Sequence, residues 1–165
     1  AEESIVLGTL RAIVTGGAGS VLVVDGSENP HVNSLGGVAG ATAKHHGLAG
    51  CVSDAVVRDV DEYKVYGLPV YCRGISLKTA RGRSACAGYG MEIRLGGVRV
   101  RPGDYILADE NGTVVIPRER VAEVVAFAQK VRATEERVIA EIRAGADPVE
   151  AHERVNYDNI LKAHA

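Results

Sequence analysis

Apolar positions along the chain fall into short blocks separated by glycine-rich turns. Ile5, Val6, Leu10, Ile13 and Val14 recur near helical spacing and predict a helix over residues 2–15, broken by Gly16-Gly17-Ala18-Gly19. The unbroken apolar run from Val21 to Val24, ending in Asp25, reads as a buried strand of the parallel kind. A polar turn over 26–33 follows. Residues 37–46 predict a helix of small residues with Gly47 as its C-cap. A second strand is expected over 50–54, a short helix over 59–66 closed by Gly67, and a third strand over 69–72. Strand, helix, strand, helix, strand predicts a small parallel sheet with right-handed crossovers.

The pattern then changes. Residues 91–95 and 98–100 flank Gly96-Gly97 and read as a hairpin, and 105–108 with 113–116 read as another. From Arg118 to Arg143 the apolar residues Val121, Val124, Val125, Ala128, Val131, Val138, Ile139 and Ile142 keep helical spacing, and Gly145 stops the helix. Asp147-Pro148-Val149-Glu150 matches a helix start, with Asp as N-cap, Pro at the first position and Glu three after the cap. A last helix is expected to run towards Lys162. The length, 165 residues, suits one domain. We divide it into a core over 1–117 and a C-terminal helical extension over 118–165, with no internal repeat or linker.

Composition narrows the function classes. The chain is 46% hydrophobic and 24% charged, the balance of an ordinary globular protein. Its formal charge of −2 and its seven Phe and Tyr, with no Trp, leave neither a basic footprint nor a stacking platform, so no nucleic-acid partner is expected. No apolar run approaches the ~20 residues of a membrane helix, and no basic start followed by an apolar segment marks a signal peptide. Cys51, Cys72 and Cys86 form no CxxC pair, which points to free thiols and a cytoplasmic setting. The sequon Asn111-Gly112-Thr113 reads as a turn, and so do Asp25 and Asp109. His31, His45 and His46 lack companions at metal-site spacing, no P-loop is present, and Gly16-Gly17-Ala18-Gly19 precedes a strand, where a dinucleotide loop must follow one.

The most informative segment is Arg58-Asp59-Val60-Asp61-Glu62, at the carboxyl end of the second predicted strand. Ligands in open α/β sheets gather there. Asp59 and Glu62, three apart, share a face on a helical turn, and two hard oxygen donors suit Mg²⁺ or Mn²⁺. Arg58 adds fixed positive charge for a carboxylate or an enolate oxygen. The plain alternative is a solvated helix start, where acidic residues are favoured by the dipole. Upstream, Leu35-Gly36-Gly37-Val38-Ala39-Gly40 opens a helix, and its backbone N–H groups form an anion site. Lys78, Arg81 and Arg83 make a basic loop that suits the second carboxylate of a dicarboxylic substrate, or is simply solvated.

Gly37, twenty residues, Arg58-Asp59 and then Glu62 resemble the Gly-x20-Arg-Asp-x2-Glu/Asp pattern of the RraA-like proteins, which include a regulator of ribonuclease activity and are similar to 4-hydroxy-4-methyl-2-oxoglutarate aldolases. Val21 to Gly26, Gly47-Leu48-Ala49-Gly50, Leu68-Pro69-Val70-Tyr71, Arg101-Pro102-Gly103-Asp104 and Ala108 to Pro117 also look like family segments, so the likeness spans nearly the whole chain. It implies a swivelling β/β/α three-layer domain, a homotrimer or dimer of trimers with sites between subunits, and divalent-metal chemistry on pyruvate-derived acids. Two departures stand out. The second strand ends Ser53-Asp54-Ala55 where the family usually carries Asp-Gly, and this chain is expected to lack the N-terminal strands and polar pocket residues that family members usually carry.

On this resemblance the expected activity is a metal-dependent lyase on 2-oxo acids, either a retro-aldol cleavage or an oxaloacetate decarboxylation through a pyruvate enolate. Asp59 and Glu62 would hold Mg²⁺ or Mn²⁺, and Arg58 and the metal would stabilise the enolate charge. Gly37, Val38 and Ala39 would bind the substrate carboxylate through the backbone. The rival reading is a non-catalytic regulator that docks on a ribonuclease. Methyl transfer to demethylmenaquinone, an older family label, finds no glycine loop after a strand and no acidic ribose partner here.

Overall fold

Three times in its first 75 residues the chain makes one move, from a short strand through a helix into a second strand. The computed structural model describes residues 3–155. β1 (Glu3–Ser4) leads through α1 (Ile5–Gly16) to β2 (Val21–Val24), and β3 (Asn33–Leu35) through α2 (Gly37–His45) to β4 (Gly50–Ser53). β5 (Val56–Val57) leads through α3 (Val60–Tyr66) to β6 (Val70–Tyr71), and β7 (Gly74–Ile75) closes the series. The strands after the helices form one parallel sheet, β2-β4-β6, as the apolar blocks predicted. The short strands before the helices were not predicted. β3, β5 and β7 form a second parallel sheet, so the second and third crossovers each pass from this sheet to the first.

The second sheet corrects two expectations. The polar turn ends at Val32, because Asn33 and Ser34 are already in β3. Asn33 is buried, with Nδ2 donating to Leu35 O at 3.2 Å and Oδ1 accepting from Ala80 N at 3.2 Å. Ser34 Oγ lies 2.8 Å from Ser53 Oγ and donates to Val56 O. Satisfied polar side chains let a strand exist where apolar patterning is silent. The third strand shortens to Val70–Tyr71, since the chain then crosses to β7. The first helix starts at Ile5, after β1, whereas the spacing predicted a start at residue 2.

The core joins α1, α2 and α3 to both sheets through Ile13, Leu22, Leu35, Ala43, Val57 and Tyr63. Ile13 and Val57 are fully buried. Side chains of this size contribute about 1.5–3 kcal/mol each on burial. Gly40 allows α2 and α3 to approach, because a Cβ there would collide with the Tyr63 ring. Burial pushes the Cys51 thiol up to about 12, so it behaves as a small apolar side chain. All three cysteines are free.

β8 (Ala85–Cys86) pairs antiparallel with β1. β9 (Ile93–Leu95) and β10 (Val98–Val100) form the first predicted hairpin, and Gly96 and Gly97 both take the positive φ that its tight turn demands. β11 (Tyr105–Asp109) and β12 (Gly112–Ile116) form the second. At its turn the Asn111 N–H donates to Asp109 at 2.7 Å and holds that carboxyl below its usual range. Tyr71 OH donates to Ala108 O, tying this hairpin to β6.

The chain divides into two compact units, one ending at Pro117 and the other starting at Arg118. In the second unit a 3-10 turn (Arg118–Arg120) precedes α4 (Val121–Arg143) and α5 (Pro148–Val155). Asp147 Oδ1 accepts from Val149 N and Glu150 N, the cap expected from the sequence. Ala151 is buried and Arg154 pairs with Glu141 at 3.1 Å. The predicted continuation of this helix towards Lys162 lies outside the described residues. No helix among the described residues is long and apolar enough to cross a membrane.

Candidate functional site

β3 and β5 are neighbouring parallel strands, so their carboxyl ends emerge side by side. The chain leaving β3 is Gly36-Gly37, and the chain leaving β5 is Arg58-Asp59. Arg58 N donates to Leu35 O at 3.1 Å and locks the two exits together. Residues more than twenty positions apart in sequence thus meet for reasons of topology alone.

Asp59 lies outside α3. Its backbone takes a left-handed conformation (φ 59°, ψ 40°) at the N-cap. The expectation that Asp59 and Glu62 share one helical face is corrected accordingly: their carboxylates converge by different routes. Asp59 turns back, and its Oδ2 accepts from Gly37 N at 2.7 Å. Glu62, in the first turn of α3, lies against Gly37, where a Cβ would collide with its carboxylate. A Cβ on Gly36 would stand 3.0 Å from both Arg58 Nε and Asp59 Oδ2. Both glycines are therefore needed for close approach. Non-glycine residues in the left-handed region are strained and concentrate at functional sites, with Asp among the side chains that tolerate it best.

Arg58 Nε is 3.3 Å from Asp59 Oδ2, and both side chains are a little over one-third exposed. This Nε is shielded from solvent yet makes no aligned hydrogen bond. Glu62 Oε2 accepts from Tyr66 OH at 2.9 Å, and this bond raises the Tyr66 pKa because it favours the protonated phenol. Asp59 Oδ1 and Glu62 Oε1 carry no hydrogen bond among the described residues. Two hard oxygens are thus left unused beside a guanidinium. Among the described residues no group of three His, Cys, Asp or Glu gathers to hold a metal. Two carboxylates alone still suit an ion such as Mg²⁺, which keeps several waters and takes substrate oxygens as well.

Gly37 N is occupied by Asp59, whereas the N–H groups of Val38 and Ala39 precede the first helical bond, Gly40 N to Gly36 O at 3.1 Å. They point along the positive end of α2. Val38 is 65% exposed, so this end of the helix is open. Sequence reasoning missed Gly36 and Tyr66. The four-residue spacing from Glu62 to Tyr66 was the available signal for the tyrosine. An apolar hollow of about 500 Å³, lined by residues that include Val57, Tyr63, Leu68 and Cys72, contains none of the charged residues of this site.

The turn Ser53-Asp54-Ala55 is also resolved. Asp54 is buried and accepts from Gly26 N at 2.7 Å and Gly96 N at 3.2 Å. The Ala55 methyl packs where a Cβ of Gly26 would be. The Ala55 methyl is accommodated by the glycine opposite.

The model of the RraA-like family, described as Aldolase/RraA, matches residues 5–115. The chain belongs to the RraA-like family. A relative from Halalkalibacterium halodurans, provisionally named 4-hydroxy-4-methyl-2-oxoglutarate aldolase, is 32% identical over 159 residues, 96% of this chain and 69% of that protein. The crystal structure of an uncharacterized protein from Pseudomonas syringae has a TM-score of 0.84 at 29% identity, covering 88% of this chain and 68% of that one. The RNA-processing inhibitor RraA from Thermus thermophilis has a TM-score of 0.58 at 30% identity, covering 70% of this chain and 68% of that one. The first two curated relatives differ greatly in length: this chain spans 23% of one and 69% of the other.

Proposed function

We propose that this RraA-like chain is a divalent-metal-dependent lyase that breaks a carbon–carbon bond in a 2-oxo acid. The observation that carries the reading is the meeting of Arg58, Asp59 and Glu62 at Gly36-Gly37, with one oxygen of each carboxylate unused. The relatives named as aldolases support the same reaction class.

Asp59 Oδ1 would hold Mg²⁺ or Mn²⁺, with Glu62 Oε1 binding directly or through a water. The ion, when bound, supplies Lewis-acid stabilisation of charge on the 2-oxo oxygen. The chain's own groups do the rest. The N–H groups of Val38 and Ala39 hold the substrate carboxylate. Arg58, its Nε already shielded from water, offers donors to the oxygen on which negative charge grows. The Gly37 N–H orients Asp59, and Tyr66 orients Glu62. In oxaloacetate the C3–C4 bond breaks, CO₂ leaves, and the electron pair spreads onto the 2-oxo oxygen until C3 takes a proton and pyruvate is formed. In a 4-hydroxy-2-oxo acid the same bond breaks in a retro-aldol step: the 4-hydroxyl gives its proton to water and becomes the carbonyl of the departing fragment, the electron pair of the C3–C4 bond spreads onto the 2-oxo oxygen, and C3 then takes a proton. Resemblance further suggests a homotrimer.

Oxaloacetate decarboxylation with Mg²⁺ or Mn²⁺, against EDTA and oxalate controls, tests this. Turnover that needs the metal and is blocked by oxalate, a planar mimic of the enolate, is expected. A rate no higher than that of free metal would sink the proposal. Similarity to an RNA-processing inhibitor favours one second reading, a regulator that binds a ribonuclease. Capture of a ribonuclease E scaffold region by a chain without lyase activity would establish it instead.

A further inference from the structure

Each carboxylate of the site proposed above has one oxygen committed before any ion arrives. Asp59 Oδ2 accepts from Gly37 N at 2.7 Å and lies 3.3 Å from Arg58 Nε. Glu62 Oε2 accepts from Tyr66 OH at 2.9 Å. No third His, Cys, Asp or Glu among the described residues joins the pair to hold a metal.

The two commitments differ in kind. That of Asp59 belongs to the backbone: its left-handed conformation turns the carboxylate back onto the start of α2, and the donor is a main-chain N–H. That of Glu62 depends on one side-chain hydroxyl, a helical turn further along α3. Glu62 is exposed, whereas the Tyr66 ring is half-buried and packs against the core. The tyrosine is therefore the fixed member of the bond, and it sets which way the glutamate carboxylate faces.

This bears on which ion the pair suits. Ca²⁺ takes about six to eight oxygens and readily draws both from one carboxylate, whereas Mg²⁺ takes about six in a strict octahedron, keeps several waters and needs only one or two carboxylates. To give an ion both of its oxygens, Glu62 must share Oε2 between that ion and the phenol. One oxygen from each carboxylate, with water and substrate completing the shell, leaves both existing hydrogen bonds in place.

We propose that Tyr66 is a specificity-determining residue: by holding Glu62 to one free oxygen, it favours Mg²⁺ or Mn²⁺ over the larger Ca²⁺. The inference rests on the lyase reading, which puts the ion at Asp59 and Glu62. Tyr66 acts through Glu62 and is a positioning residue.

Metal binding tests this without turnover. Electron paramagnetic resonance of free Mn²⁺ gives the Kd of that ion, and its displacement by Mg²⁺ or Ca²⁺ gives the ratio of the Ca²⁺ Kd to the Mg²⁺ Kd. The ratio is expected to exceed one in the unaltered chain. Y66F keeps the ring that packs on the core and removes only the hydroxyl. The net worth of one hydrogen bond predicts that the ratio falls about three- to tenfold in Y66F. Y63F removes a neighbouring hydroxyl that has no hydrogen-bond partner among the described residues, and it should leave the ratio unchanged. A ratio below one in the unaltered chain, a ratio unmoved by Y66F, or an equal fall in Y63F overturns the proposal. In those three cases Mn²⁺ still binds, and the lyase reading stands. No Mn²⁺ binding at millimolar concentration refutes the lyase reading and this inference with it.

Discussion

Two clusters of carboxylates and arginines lie at turns of the first unit, one around Asp54 and one around Asp59, and they spend their oxygens differently. Around Asp54 both aspartates have both oxygens engaged, and only the more exposed Glu28 keeps one oxygen unused. Asp54 takes Gly26 N and Gly96 N, Asp25 takes Ser27 N and Arg94 N, and Glu28 takes Arg73. This cluster staples the β2–β3 turn to the β9–β10 hairpin. Around Asp59 each carboxylate has one oxygen engaged and one unused, the adjacent Arg58 Nε lacks an aligned partner, and two helix N–H groups stand open. Both clusters combine carboxylates with arginines. The unused bonding capacity makes the second the candidate site, because buried or half-buried polar groups are ordinarily satisfied.

The largest expected effect separates the two directly. Asp59→Ala should lower metal-dependent turnover by at least about a thousandfold, since it removes an ion ligand, while thermal unfolding shows the fold retained. Asp54→Ala should do the reverse and destabilise the chain by about 3 kcal/mol in denaturant unfolding, because two N–H groups lose a buried acceptor. Equal loss of stability in both variants would erase the distinction.

Gly37→Ala sharpens the comparison at the site itself. The new methyl meets the mobile end of Glu62, and alanine is the better helix former by up to about 1 kcal/mol. Stability should therefore hold or rise, while turnover falls by about ten- to a hundredfold through displacement of Glu62.

The smallest effect is a titration. Burial chiefly, with the charge of Asp59, raises the Tyr63 pKa, and donation to Glu62 raises that of Tyr66. Both phenols should stay protonated past pH ~10, where a tyrosine in a model peptide ionises, and the late absorbance change should shrink in Y63F and Y66F. The native state then holds protons that the unfolded chain has lost. The stability from this source is present below about pH 10 and falls as pH rises through the folded-state values.

The sequence by itself determined the elements with strong periodic signals. The Val21 to Val24 strand, the small-residue helix after Gly37, the Gly96-Gly97 hairpin and the long helix before Gly145 were all legible, because burial or turn geometry dictates residue type there. It also carried the spacing from Gly37 to Arg58-Asp59 and Glu62, and with it the family. The tertiary structure alone decided the rest. The second parallel sheet was invisible because Asn33 and Ser34 are polar and satisfy one another's neighbourhood through side-chain bonds. The left-handed turn of Asp59, the need for glycine at Gly36, and the anchoring of the 78–83 loop on Asn33 depend on chain segments distant in sequence. Local patterning reports which face of an element is buried. Which ends of two strands emerge together is set by pairing, and that pairing gathers three ordinary charged residues into a candidate site.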